Sequence, residues 1–134
     1  MLITLIMGIF NFFASSDLSY KEFEKWVDSS LTAELPKDVV ALCFNLYDDG
    51  NGQWSVELVG TSSFDKDDSD WACNEVFDTR NNPLKWKSKE SWEKVLSSVR
   101  SHLETYLKNG KHASLLRSQQ GIGLGFVDGD LIIL

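Results

Sequence analysis

Asp48-Asp-Gly-Asn-Gly-Gln53 separates two stretches of alternating apolar residues, and this arrangement decides the fold of the chain. The first stretch covers residues 39–47, and the second covers residues 54–60. A period of two is typical of strands, and glycine supplies the positive φ that tight hairpin turns require. The sequence therefore predicts a central antiparallel hairpin. Apolar residues occupy both faces of its first strand, so we expect both faces to be covered.

Helices are predicted on either side of this hairpin. Ser19-x-x-Glu22 forms a capping box, and apolar residues recur at helical spacing over residues 19–33. The strongest helical pattern is predicted to be capped by Ser88 and to end at Gly110, and a short helix is expected at residues 112–118. The apolar stripe of the long helix comprises Trp92, Val95, Leu96, Val99, Leu103, Tyr106 and Leu107.

Three further strands complete the predicted sheet. Residues 71–77 form a third strand-like stretch, whereas residues 78–85 contain the asparagines and the proline of a loop. Asp128-Gly129 lies between two apolar stretches and predicts a terminal hairpin within residues 121–134. We therefore expect a single α+β domain spanning residues 1–134, with a mainly antiparallel sheet of about five strands and two main helices packed on one face.

The amino terminus is mostly apolar but does not match a targeting segment. Residues 1–13 have no preceding Lys or Arg and no clear signal-peptide cleavage site, and they are too short to span a bilayer as a helix. Two interpretations remain for residues 1–18. They form a buried first strand or helix, or the start is placed too early and Met7 is the initiator. No association with a membrane is predicted.

Composition narrows the class of partner. Twenty acidic residues against thirteen basic ones give a formal charge of −7, which disfavours binding to nucleic acid or anionic membranes. A basic protein partner fits better, although an acidic balance is also common in ordinary cytosolic proteins. The two cysteines, Cys43 and Cys73, lie in apolar stretches, which is typical of buried thiols in a reducing compartment. We therefore expect a cytoplasmic protein.

Residues 64–77 hold the most candidate functional side chains. They contain five carboxylates and a single lysine, a composition that suits a recognition surface, a metal site or a solvated turn. Trp71 and Trp86 flank loops and are predicted to be partly exposed anchors, whereas Trp92 is predicted to be buried on its helical stripe. The candidate partner-binding residues are Asp65, Asp67, Asp68, Asp70, Trp71 and Glu75.

The spacing of these carboxylates does not match a calcium loop. Counting from Asp65, Asp70 stands where an EF-hand has glycine, and Val76 stands where it has glutamate. A glycosidase needs two carboxylates across a cleft, and no further motif supports that chemistry. The sequence therefore predicts no bound metal and no cofactor.

Two other patterns have simpler structural interpretations. Cys73 paired with His102 or His112 could act as a nucleophile and its base, but Cys73 alternates with apolar residues as a core-facing thiol does. Gly121-x-Gly-x-Gly follows a helix and precedes a strand, which reverses the order of a dinucleotide-binding motif. These glycines are therefore predicted to permit close backbone packing, or a bulge where another element crosses the strand.

Short segments spread over most of the chain after residue 35 carry a family resemblance: Phe44-Asn-Leu46, Glu57-Leu-Val-Gly60, Phe64-Asp65, Asp70-Trp-Ala-Cys73, Glu75-Val-Phe77 and Gly125-Phe-Val-Asp-Gly-Asp130. Together they resemble small bacterial immunity proteins of polymorphic toxin and contact-dependent inhibition systems. The resemblance implies a cytoplasmic protein that protects its own cell by binding a toxin domain tightly. Many such toxins are basic nucleases, and an acidic partner would speed association and occlude the cationic active site.

The leading hypothesis is thus a non-enzymatic binding protein that neutralises a basic toxin domain through its acidic surface. One alternative is a small enzyme or ligand-binding domain with a pocket between the sheet and the long helix. A polar cleft containing Glu75, Arg80 or His102 would favour that alternative. Another is a homodimeric structural subunit joined through an exposed strand of the terminal hairpin.

Overall fold

The computed structural model describes residues 17–134, so nearly all of the predicted amino-terminal segment, including Met7, lies outside the described residues. The rest of the chain folds into helices and strands close to those predicted. In chain order the elements are α1 (Tyr20–Ser30), β1 (Ala41–Gly50), β2 (Gln53–Thr61), a 3-10 helix (Ser69–Cys73), β3 (Glu75–Asp78), β4 (Leu84–Lys87), α2 (Trp92–Asn109), α3 (Ala113–Arg117), β5 (Gly121–Phe126) and β6 (Ile132–Ile133).

The strands of residues 17–134 form one sheet in the order β3-β2-β1-β5-β6. The short strands β3 and β4 both pair with β2, β3 near its end and β4 near its start. Every pair is antiparallel except β1 with β5, which is parallel. The expected α+β class with a mainly antiparallel sheet is confirmed. Strand β4, however, begins in a segment that the sequence predicts to be a loop.

The central hairpin forms as predicted. β1 and β2 pair in antiparallel register, with Tyr47 opposite Ser55 and Gly50 opposite Gln53. Gly50, Asn51 and Gly52 all adopt positive φ, a conformation that glycine and asparagine reach at the least steric cost. The chain reversal therefore follows directly from the residues at this turn.

The capping box of α1 is present. The Glu22 backbone N–H donates to Ser19 Oγ at 3.1 Å, and the Ser19 N–H donates to the Glu22 carboxylate at 3.2 Å. These bonds satisfy backbone donors that an uncapped first turn would leave open. The helix buries Phe23, Trp26 and Val27 against the sheet, which confirms the predicted apolar stripe.

The cap of the long helix α2 differs from the prediction. Ser91, not Ser88, accepts the N–H of Lys94 at 3.4 Å. Ser88 is buried beside β4, where its carbonyl accepts the indole N–H of Trp54 at 3.1 Å. Gly110 is the C-terminal cap, as predicted.

The main core lies between the helices and one face of the sheet. Alternate residues of β1, β2 and β5 point toward this face, so the helices pack on one side as expected. Its fully buried residues include Phe23, Val27, Leu42, Phe44, Leu46, Val56, Leu58, Leu103, Tyr106, Leu116 and Leu124.

A second, smaller core covers part of the opposite face of the sheet. It is formed by Ala41, Cys43 and Val59 from the strands and by Trp71 from the 3-10 helix. The prediction that both faces of β1 are covered is confirmed for the first half of the strand, whereas on this face Asn45 and Tyr47 are half-buried and Asp49 is exposed. The segment between β2 and β3 therefore packs as a lid over this face of the sheet. This packing determines how the carboxylates of the segment are presented to solvent.

Candidate functional site

The acidic loop (residues 65–70) is exposed along its whole length. Two of its carboxylates shape the backbone, since Asp65 Oδ1 accepts the N–H of Asp67 at 2.9 Å and Asp68 Oδ1 accepts the N–H of Asp70 at 3.0 Å. Lys66 Nζ lies 3.5 Å from Asp67, and both side chains are more than three-quarters exposed. Such a solvated pair has little strength, so the loop keeps a strongly negative surface.

Trp71 fixes this loop to the sheet. Its side chain is only 3% exposed, and its ring meets that of Phe64 edge-on with centroids 5.0 Å apart. The prediction that the Trp71 side chain is partly exposed is wrong. The chain turns into a 3-10 helix at Ser69, which directs the indole inward.

The glycines of β5 make room for these two rings. A Cβ at Gly123 would lie 3.1 Å from the Trp71 ring, and a Cβ at Gly121 would overlap the Phe64 ring. The predicted role of the glycines in close packing is confirmed. The acidic loop is thus held at both ends by aromatic side chains, which pack on β5 where Gly121 and Gly123 present no side chain.

The strand-like pattern at residues 71–77 is only partly a strand. Residues 71–73 belong to the 3-10 helix, and β3 begins at Glu75. Cys73, expected to face the core, is exposed. The cause is the period of the 3-10 helix, which places Trp71 and Cys73 on different sides of the segment.

Glu75 belongs to a different cluster from the acidic loop. Its carboxylate accepts from the Arg80 guanidinium, which also lies 3.4 Å from Asp78 and places Nε 3.0 Å from Glu57 Oε1. The contact with Glu57 is at ion-pair distance but lacks hydrogen-bond geometry. Arg80 therefore joins three carboxylates from β2 and β3. We name these residues the Arg80 cluster.

Glu57 is the buried member of the Arg80 cluster, at 2% exposure. Tyr47 on β1 donates its phenolic hydroxyl to Glu57 Oε2. Burial and this hydrogen bond raise the pKa of Tyr47 to about 12. The hydrogen bond to Glu75 raises the pKa of Arg80. At neutral pH Tyr47 is a neutral donor and Arg80 a cation, which suits a structural network.

A polar cleft of about 370 Å³ adjoins this cluster. Its lining comes from both hairpin strands and from β4, and includes Tyr47, Gln53, Ser55, Glu57, Arg80 and Lys85. In register these strand residues face away from the helices. The cleft therefore lies on the second face of the sheet, not between the sheet and the long helix.

A larger, apolar groove lies at the C-terminal end of β5, beside Phe126. Trp92, Leu96, Phe126 and Ile132 line its apolar part, and the cavity measures about 530 Å³. Trp92, expected in the core, is the first residue of α2 and is 53% exposed, and its ring stands nearly perpendicular to that of Phe126, with centroids 6.1 Å apart. Trp86, expected at the surface, is buried against Trp54. We name the groove lined by Trp92 and Phe126 the Trp92 groove.

The cysteines and histidines form no catalytic pair in residues 17–134. His102 Nε2 lies 3.0 Å from the Leu18 carbonyl, and its ring packs near Phe23 on the helix side of the sheet. Cys73 lies in the lid on the opposite side. Burial, with the nearby carboxylates, raises the pKa of the Cys43 thiol to about 12, so Cys43 is the buried, protonated thiol that was expected.

Comparison with protein-family models, curated protein sequences and solved structures gives no match to this chain. Within residues 17–134, no three His, Cys, Asp or Glu side chains come together as metal ligands. No helix in the same residues is both long and apolar enough to cross a bilayer. The residues of the sites themselves must therefore carry any functional conclusion.

Proposed function

We propose that this protein is a non-enzymatic binding protein of the immunity type, which neutralises a basic toxin domain in the cytoplasm by occluding it. The observation that carries the proposal is the presentation of the acidic loop. Four aspartates stand exposed on a short segment whose ends are fixed by Phe64 and Trp71. A charged surface that is ordered before binding loses less conformational entropy when the partner arrives.

Association is driven first by charge. The net charge of −7 and the exposed aspartates attract a cationic surface and speed its encounter. At contact, the carboxylates form charge-assisted hydrogen bonds with Lys or Arg of the partner. Asp67 and Asp70 are best placed for this, because their carboxylates accept none of the backbone bonds that shape the loop.

A pair of matched variants tests this mechanism. Asp67→Lys with Asp70→Lys, the loop variant, keeps the turn-forming Asp65 and Asp68. Glu34→Lys with Glu104→Lys, the control variant, makes the same change in net charge at exposed positions outside the loop. We expect hexalysine peptide to bind the wild type and the control variant more tightly than the loop variant, with a difference that shrinks as salt is added. Equal affinity for both variants would contradict a role for the acidic loop.

The neighbouring gene supplies an independent test. An immunity protein is expected to be encoded beside its toxin, so a large secreted protein with a variable C-terminal domain immediately upstream supports the proposal. A neighbourhood of unrelated genes with no secreted protein would count against it.

A small ligand-binding domain or enzyme is the second candidate. The observation that favours it is the polar cleft at the Arg80 cluster, which contains a buried carboxylate, a phenol and a guanidinium. Perturbed pKa values in a cleft mark functional sites as well as structural ion networks. Here Arg80 is already bound to three carboxylates, so the structural interpretation has more support. Screening a metabolite panel by thermal shift, with Arg80→Ala as control, distinguishes a ligand-binding cleft from a purely structural ion network.

The third candidate, a homodimer joined through the terminal hairpin, has less support. The outer strand β6 comprises only Ile132 and Ile133 and offers few free backbone groups for pairing with another copy. Light scattering at low protein concentration tests it, and a monomer would count against it.

A further inference from the structure

The Trp92 groove combines an exposed aromatic side chain with an apolar floor. Trp92 is 53% exposed, yet its ring is oriented by an edge-on contact with Phe126, which in turn meets Trp54 edge-on at 5.9 Å. This row of rings runs from the surface into the main core. Aromatic side chains that are exposed but held in place are favoured anchors at protein interfaces.

Carboxylates line the same groove. Asp48 comes from the end of β1, and Asp128 and Asp130 come from the turn between β5 and β6. Among the described residues of the lining there is no Lys, Arg or His, and neither Asp128 nor Asp130 forms a salt bridge within residues 17–134. The groove is therefore apolar at its floor and negative at its rim.

These features define the chemistry of a complementary ligand. An apolar side chain would occupy the floor, and its burial would remove the exposed face of Trp92 from water. Lys or Arg on either side would pair with the rim carboxylates, and a cation over the indole face would gain a further cation–π interaction. An acidic or purely polar segment would satisfy neither part of the site.

We propose that the Trp92 groove docks a basic segment of a partner protein, in which a large apolar side chain is flanked by Lys or Arg. This inference rests on the proposed function in taking the partner to be a basic protein, but it uses different residues. Phe64 and Trp71, which flank the acidic loop, pack over Gly121 and Gly123 at the start of β5, whereas the groove lies beside Phe126 at its end. The partner is thus held at two places, by charge at the loop and by an inserted side chain at the groove.

Peptide titration followed by NMR tests the groove. The probe is acetyl-Lys-Lys-Leu-Phe-Lys-Lys-amide, with acetyl-Glu-Glu-Leu-Phe-Glu-Glu-amide as its charge-reversed control. We expect the indole N–H signal of Trp92 to move with the basic probe and to stay in place with the acidic one. Trp92→Ala and the double variant Asp128→Asn, Asp130→Asn should each weaken binding of the basic probe, the first by about tenfold or more.

The loop variant separates this inference from the proposed function. It should lose affinity for hexalysine but keep the Trp92 response to the basic apolar probe. If Trp92→Ala and the Asp128, Asp130 variant both bind that probe as the wild type does, the groove is not a docking site, even where the loop result stands.

A Trp92 signal that depends on protein concentration alone would assign the groove to a second copy of the chain. Binding that appears only after deletion of residues 1–16 would assign it to the chain's own amino-terminal segment. Either result overturns the proposal.

Discussion

Phe64 and Trp71 meet edge-on, with ring centroids 5.0 Å apart, over a strand whose glycines leave space for both rings. This contact joins the two ends of the segment that carries the acidic loop. It explains how a run of exposed carboxylates is held in a defined place on the protein. The proposed role of the acidic loop depends on this arrangement.

Trp71 and Trp92 should differ sharply in their contribution to stability. Trp71→Ala removes a buried ring and should lower the free energy of unfolding by about 3–5 kcal/mol. Trp92→Ala removes a ring that is half exposed and should cost about 1 kcal/mol or less. Urea unfolding of the two variants measures the difference. Equal losses would show that the two tryptophans are not placed as described.

Gly121→Ala should destabilise the protein through Phe64. The added Cβ would overlap the Phe64 ring, and overpacking of this kind costs about 1–3 kcal/mol. Gly129→Ala is the control, because its nearest neighbour would lie 3.7 Å away. In a Phe64→Ala background the overlap no longer exists, so Gly121→Ala should cost clearly less there. Additive losses in the double variant would argue against the contact.

The two cysteines should differ in reactivity. Cys73 is exposed, whereas Cys43 is fully buried with a thiol pKa raised to about 12. Alkylation of the native protein at mildly alkaline pH, read by mass spectrometry, should modify one thiol per chain, because the thiolate is the reactive form. Cys73→Ser should abolish the reaction until the protein is unfolded. Rapid modification of Cys43 in that variant would contradict its burial.

Tyr47 should ionise at a higher pH than a free tyrosine. Its pKa is raised from 10.0 to about 12, so the folded state holds this proton more tightly than the unfolded state. Its contribution to stability is therefore complete below pH 10 and is lost as the pH rises toward 12. Titration of tyrosinate absorbance should show one high-pH ionisation fewer in Tyr47→Phe. Ionisation of Tyr47 near pH 10 would contradict its bond to Glu57.

Local signals in the sequence predicted most of the fold. Three of these signals involve only residues that are close in the chain: the capping box at Ser19, the apolar stripe of α2 and the glycines after Asp49. Each of them predicted its helix or hairpin correctly. The sequence does not predict β4, because only four of its residues pair with β2 and the burial of its Trp86 depends on Trp54 opposite it, which is distant in the chain. The parallel pairing of β1 with β5 joins residues eighty positions apart, which no local pattern encodes.

The candidate sites were harder to predict, because exposure depends on distant partners. Trp71 lies next to aspartates in sequence, but the space above Gly121 and Gly123 decides that it is buried. Trp92 fits the helical stripe, but it is the first residue of the helix, and its side chain is 53% exposed. The sequence Asp128-Gly129 predicts a hairpin, whereas the groove that this turn lines exists only because α2 lies beside it in the fold.

Growth of cells that co-express this chain with the C-terminal domain of the secreted protein expected immediately upstream tests the central claim most directly. We predict that the wild type and the Glu34→Lys, Glu104→Lys control variant restore growth, while the Asp67→Lys, Asp70→Lys loop variant, expressed at the same level, protects markedly less. Protection by the loop variant equal to that of the control, or no protection by the wild type, would contradict neutralisation of a basic toxin through the acidic loop.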